Sequence, residues 1–146
     1  MAKETVIVSA CLTGMKTRYD GKDCLNQELM QRLSDVTVVT VCPEELGGLS
    51  TPRPRAEIEK GSGSDVLNGS SRVMDEHGRD VTALFIKGAK ETLKKALSTG
   101  AAKAYLKEKS PSCGVRLISR NNETVSGAGV SAALLMENGI EIIGVE

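Results

Sequence analysis

The sequence predicts an α/β fold, a small Rossmann-like and mostly parallel sheet with helices on both faces. Two observations carry this. Short β-branched runs alternate along the chain with segments of helical periodicity, in the order βαβ…αβαβ. Each run is cut off by turn residues or by proline, as buried strands of parallel sheets are.

The elements follow in order. Thr5–Ser9 is short, β-branched and followed by turn residues, which predicts a buried strand. Residues 26–33 place Leu29 and Leu33 one helical turn apart after Leu25, with Asn26 in the N-cap position. A second strand is predicted over 36–41, ended by Cys42 and Pro43. Residues 47–55 hold Gly47, Gly48, Pro52 and Pro54, which excludes both helix and central strand and leaves a structured loop. Over 56–74 a hairpin is expected, with a flexible tip at 61–68. Asp80 is the expected N-cap of a long helix to Leu97 whose apolar stripe is Val81, Leu84, Phe85, Ala89, Leu93, Ala96 and Leu97, with Gly100 as its stop. Strands over 103–106 and 140–145 enclose a helix over 129–138 that ends at Gly139.

Composition removes several classes of function. The 146 residues carry 19 Lys plus Arg against 19 Asp plus Glu, so the expectation is one domain, residues 1–146, without the basic field that duplex nucleic acid requires. Tyr19, Phe85 and Tyr105 are the only aromatic residues, too few to stack single-stranded bases. No apolar run reaches the length of a membrane span, and Val6 to Val8 is too short for the core of a signal peptide. A cytoplasmic location is the expectation. In a reducing compartment the four cysteines are ligands, nucleophiles or inert core residues rather than disulfide partners.

Position separates these cysteines. Ligands on parallel sheets gather outside the carboxyl ends of the strands. Cys11 follows the first strand, Cys42 the second, and Cys113 lies on a Ser-Pro-Ser-Cys-Gly turn beyond the third. No local motif such as CxxC joins them, so only the fold can. Converging thiolates suit an iron-sulfur cluster, zinc or copper(I), while the alternative is that they are small hydrophobes of the core. Cys24, among charged residues, is read as a bystander.

Other candidates have ordinary explanations beside the functional ones. Ser112 is expected to cap the turn around Pro111. Arg18, Asp20, Arg53 and Arg55 fall in loops near the cysteine edge, and Arg53, flanked by prolines, is the one most suited to meeting a substrate. Gly61 and Gly63 lack the third glycine of a dinucleotide fingerprint. Gly127 and Gly129 are read as a turn into a helix rather than an anion site, and His77 as an exposed residue of a polar turn. Lys87, Lys90, Lys94 and Lys95 form a solvated helix face.

The strings SACLTG at 9–14, RYDG at 18–21 and CPEELGGL at 42–49 resemble a bacterial family long filed as a domain of unknown function, whose best-understood members are thiouracil desulfurases. The resemblance continues through PRPRAEI at 52–58, GRDVTALFIKGA at 78–89, LKEKSPSCG at 106–114 and GAGVSAALLMENGIEI at 127–142. It implies a non-redox desulfurase of a thiolated pyrimidine that holds a 4Fe-4S cluster through Cys11, Cys42 and Cys113, with one iron not ligated by protein. That iron would act as a Lewis acid on the substrate sulfur. The same resemblance implies Glu44 as acid/base and Ser110 as the residue that orients substrate or water, with Glu45 and Ser112 as neighbouring rivals. The alternative is a non-enzymatic carrier of metal, cluster or sulfide built on the same cysteines. The expected partner is a small thiolated base, nucleoside or nucleotide rather than intact tRNA.

Overall fold

The computed structural model describes residues 4–146. Its core is a four-stranded, all-parallel sheet made of β1 (Thr5–Ser9), β2 (Thr37–Val41), β5 (Lys103–Lys107) and β8 (Glu141–Val145) in the order β2-β1-β5-β8. From β1 the chain moves outward to β2 on one side, and later elements return on the other. The strand order therefore reverses between β1 and β5, which opens a crevice at their carboxyl ends.

Period-two alternation splits β1 between two cores. Ile7 packs with Ala104 and Leu106 of β5 beneath α4 (Thr82–Thr99) and α5 (Val130–Glu137). Val6 and Val8 face the other way, onto Leu29 and Leu33 of and beside α1 (Gln27–Arg32). Helices thus cover both faces, α1 being the short one. Asn26 caps it as expected, its side chain accepting from Leu29 N at 2.9 Å.

The long helix starts later than Asp80. Val81 is its N-cap, and the Asp80 carboxylate instead accepts from Thr82 N in the turn before it. Its buried stripe is Phe85, Gly88, Ala89, Thr92 and Ala96, whereas Leu97 faces solvent at 63% exposure. Gly100 ends it in the left-handed region, as expected. Lys87, Lys90, Lys94 and Lys95 are all exposed.

The segment 56–74 does pair its ends, β3 (Ala56–Ile58) with antiparallel β4 (Val73–Asp75), yet its centre is not a flexible tip. Residues Gly63–Leu67 form helix α3, opened by a reciprocal capping box between Ser62 and Asp65 and packed on α5. Three further elements lie outside the expectation: a 3₁₀ turn at Ala10–Thr13, helix α2 (Pro43–Leu46), and a hairpin of β6 (Leu117–Arg120) with β7 (Glu123–Ser126). The hairpin turns through Asn121 and Asn122, both at positive φ.

Candidate active site

Each cysteine stands just beyond a strand of the central sheet because a turn begins there. The 3₁₀ turn after β1 carries Cys11, and Gly14 closes it at φ 97°. Cys42 is the N-cap of α2, where Pro43 at the first helical position fixes the direction of departure from β2. Cys113 sits on a tight turn beyond β5, and that turn is held twice. Ser110 Oγ accepts from the amides of Ser112 and Cys113 at 3.1 and 3.0 Å. Carbonyls of Pro111, Ser112 and Gly114 accept from the amides of Gly129, Val130, Ser131 and Ala132, which opens α5 on the loop itself. A Cβ on Gly129 would stand 2.5 Å from Ser112, so this close docking requires glycine. The anion-site alternative for that helix end falls with it, since its amides are already used.

Ser112 is not the turn cap expected of it. Ser110 has that place because its hydroxyl reaches forward over Pro111, while Ser112 is buried against Ser131, oxygen to oxygen at 2.9 Å. Ser110 keeps a use beyond the turn: both its accepting positions are filled, and no acceptor among the described residues takes its proton.

Cys11, Cys42, Cys113, Glu44 and Ser110 all line one cavity of about 260 Å³ at the crevice between β1 and β5. Cys24 does not line it; its amide donates to Cys11 O at 2.8 Å and its side chain packs beneath the sheet. Burial, reinforced by Cys24, Glu44 and Cys42, pushes the Cys11 thiol up to about 12. Burial and Glu44 also raise Cys42. Cys113 is driven well above its ordinary value by burial first and by Glu44, Cys11 and Cys42, against a hydrogen bond with Ser9. These shifts keep the three thiols protonated when no cation is bound, so a cation held there would displace their protons.

Among the described residues no three Cys, His, Asp or Glu side chains come close enough together to hold one metal ion. The three cysteines give an all-thiol donor set, which iron-sulfur clusters take.

Of the two adjacent glutamates, Glu44 lines the cavity and pairs with Arg53 at 3.3 Å. Glu45 is exposed and accepts from Thr51 Oγ1 instead. Arg53 lines the cavity too, and its guanidinium is bonded to Thr17 O, Ser50 O and Thr51 Oγ1 as well. Two functional residues escaped the sequence reading. Glu108, with no exposed side-chain surface, accepts from the amides of Val115, Arg116 and Leu117 and so fixes the exit from the Cys113 loop. Gly88 of α4 lets α2 approach so closely that a Cβ there would lie 2.0 Å from Pro43 O.

The charges around the cavity are unbalanced. Its carboxylates Glu44, Asp75 and Glu108 are paired with Arg53, Arg79 and Arg116. Its cations Arg18, Arg55, Lys107 and Lys109 have no carboxylate partner among the described residues. Tyr19 lies between two of them, its ring 5.8 Å from Arg18 and 6.0 Å from Arg55.

Comparison with known proteins agrees with this architecture. The chain is 41% identical over 141 residues to the uncharacterized protein YbbK of Bacillus subtilis (strain 168), covering 94% of this chain and 93% of that one. A solved structure of the 4Fe-4S-dependent thiouracil desulfidase TudS superposes with a TM-score of 0.84 at 39% identity, over 97% of this chain and 91% of the other. The 2-thiouracil desulfurase family profile matches residues 6–146, and the chain belongs to that family.

Proposed function

We propose that residues 1–146 form a single thiouracil-desulfurase domain of the cytoplasm that converts a thiolated pyrimidine and water into the oxo pyrimidine and hydrogen sulfide. The observation that carries this reading is the convergence of Cys11, Cys42, Cys113, Glu44 and Ser110 on one cavity from three separate strand ends. The reaction exchanges C=S and H₂O for C=O and H₂S, so no electron donor or acceptor is needed.

Cys11, Cys42 and Cys113 would hold a 4Fe-4S cluster. Bound there, it supplies an iron without a protein ligand, a Lewis acid for the substrate sulfur. Glu44 takes a proton from the attacking water and returns it to the pyrimidine, general acid/base work of on the order of 10²- to 10⁴-fold. Ser110, with its hydroxyl proton unspent, orients substrate or water. The four cations without carboxylate partners favour a substrate that carries negative charge, a thiolated nucleotide over the neutral base.

The test is anaerobic reconstitution of the wild type and the four single cysteine-to-alanine variants, followed by iron, acid-labile sulfide and visible absorption. Loss of the cluster in Cys11→Ala, Cys42→Ala and Cys113→Ala, with Cys24→Ala unaffected, is the expected pattern. Equal dependence on Cys24 would overturn the ligand set. Glu44→Gln separates enzyme from carrier: it should keep its iron and lose desulfuration of thiouracil, whereas a carrier would be indifferent.

A further inference from the structure

We infer that Arg53 is a positioning residue for the reaction: it immobilises one oxygen of Glu44, Oε2, and so assigns the proton traffic to the other, Oε1. This rests on Glu44 being the acid/base group.

The guanidinium is anchored independently of Glu44. Arg53 Nη2 donates to Thr17 O at 2.9 Å, and Nη1 donates to Thr51 Oγ1 at 2.8 Å and to Ser50 O at 3.2 Å. Its backbone is held as well, the amide donating to Tyr19 O at 2.8 Å. These partners come from the segment after Cys11 and from the loop after α2, so the planar fork is locked before the carboxylate is considered. The side chain is 5% exposed.

Glu44 then meets a fixed partner, its Oε2 lying 3.3 Å from Nη2. No donor of the described residues reaches Oε1. Glu44 lines the cavity with its side chain 14% exposed, so an oxygen without a protein donor has the cavity beside it. One carboxylate oxygen is thus ion-paired to protein, and the other has no protein donor among the described residues. The neighbouring Glu45 is drawn to Thr51, the same hydroxyl that helps to hold Arg53, which keeps the two carboxylates apart. Thr17 O also lies 3.7 Å from Cys42 Sγ, linking the clamp to a cysteine loop. A carboxylate on three rotatable bonds would otherwise have to be ordered in each turnover.

The experiment compares Arg53→Gln, Arg53→Lys, Glu44→Gln and the Glu44→Gln/Arg53→Gln double variant in reconstituted protein, reading iron content, visible spectrum, kcat and KM for thiouracil. Arg53→Gln should retain the iron content and spectrum of the wild type and lose about 10- to 100-fold in kcat, with KM within about twofold. Arg53→Lys should recover part of kcat, since an ammonium keeps the charge but cannot span Thr17, Thr51 and Glu44 together. On the Glu44→Gln background, Arg53→Gln should cost nothing further. A raised KM at unchanged kcat would make Arg53 a substrate-binding residue, and additive losses in the double variant would detach it from Glu44; either overturns the inference. Loss of iron in both Arg53→Gln and Arg53→Lys would overturn it too, by making the role one of building the site. Wild-type kcat in Glu44→Gln would instead remove the acid/base reading on which the clamp depends.

Discussion

Replacing Gly88 by alanine sets two physical effects against each other. In an exposed helix interior that change gains about 1 kcal/mol of helix propensity. Gly88 is buried, however, and its added Cβ would stand 2.0 Å from Pro43 O and 2.9 Å from Pro43 C. Ordinary contact begins near 3.4 Å, so α2 and α4 must part by about 1.4 Å. The obstacle is backbone, which cannot rotate aside, and overpacking of this kind costs about 1–3 kcal/mol. Taking the upper part of that range, the net loss is about 2 kcal/mol, a fall in Tm of about 4–8 °C for a chain of this size. The displaced atoms follow Cys42 directly and precede Glu44, and a misplacement of about 1 Å near reacting groups costs on the order of 10²-fold in rate. Thermal unfolding, with kcat on thiouracil in the reconstituted protein, checks both numbers. A Gly88→Ala protein as stable as the wild type would show that α2 does not lean on α4 as described.

Glu108→Ala should lower Tm by about 10 °C, because it strands three amides behind the Cys113 turn at about 3–5 kcal/mol; iron retention should fall with it, and Glu108→Gln, which keeps one accepting oxygen, should be milder. Asp75 accepts from the Arg79 and His77 amides and from the Arg79 side chain, and the Arg79 amide above all holds its carboxyl below the usual 3.8. Its charge therefore stabilises the fold fully above that value and ceases to as pH drops through the lower folded one. Urea midpoints of Asp75→Asn and wild type should differ at pH 7, and the difference should shrink as pH falls below 3.8. Asn26→Ala removes the cap of α1 and should cost about 1 kcal/mol, read as a shift of the urea midpoint.

What could be read from the chain was whatever depends on neighbours in sequence. The β-branched runs marked three of the four parallel strands, Asn26 and Gly100 marked helix ends, and strand ends marked three cysteines as companions. Some of the remainder was also written locally. Ser62 and Asp65 have the spacing of a capping box, hidden by the glycines around them, and the Asn121-Asn122 pair between two alternating runs signals the β6–β7 hairpin. Ala104, Leu106 and Glu108 fall on one face by period two, which places a carboxylate in line with core residues. The functions of Gly88, Ser112 and Arg53 had no local signature. Each depends on what another part of the chain brings within a few ångströms: Pro43 for Gly88, Ser131 for Ser112, Glu44 and Thr17 for Arg53.

The docking of the Cys113 turn on the first amides of α5 divides the site into a part built from backbone hydrogen bonds and a part built from side chains alone. Elsewhere a helix end of this kind lends its positive field to a ligand; here the chain's own carbonyls consume it. The attraction of the cavity for negative charge is therefore left to Arg18, Arg55, Lys107 and Lys109. Those side chains can be exchanged one by one without disturbing a backbone hydrogen bond of the Cys113 turn. Exchanging them would change the charge that the cavity presents and leave the thiol loops where they are.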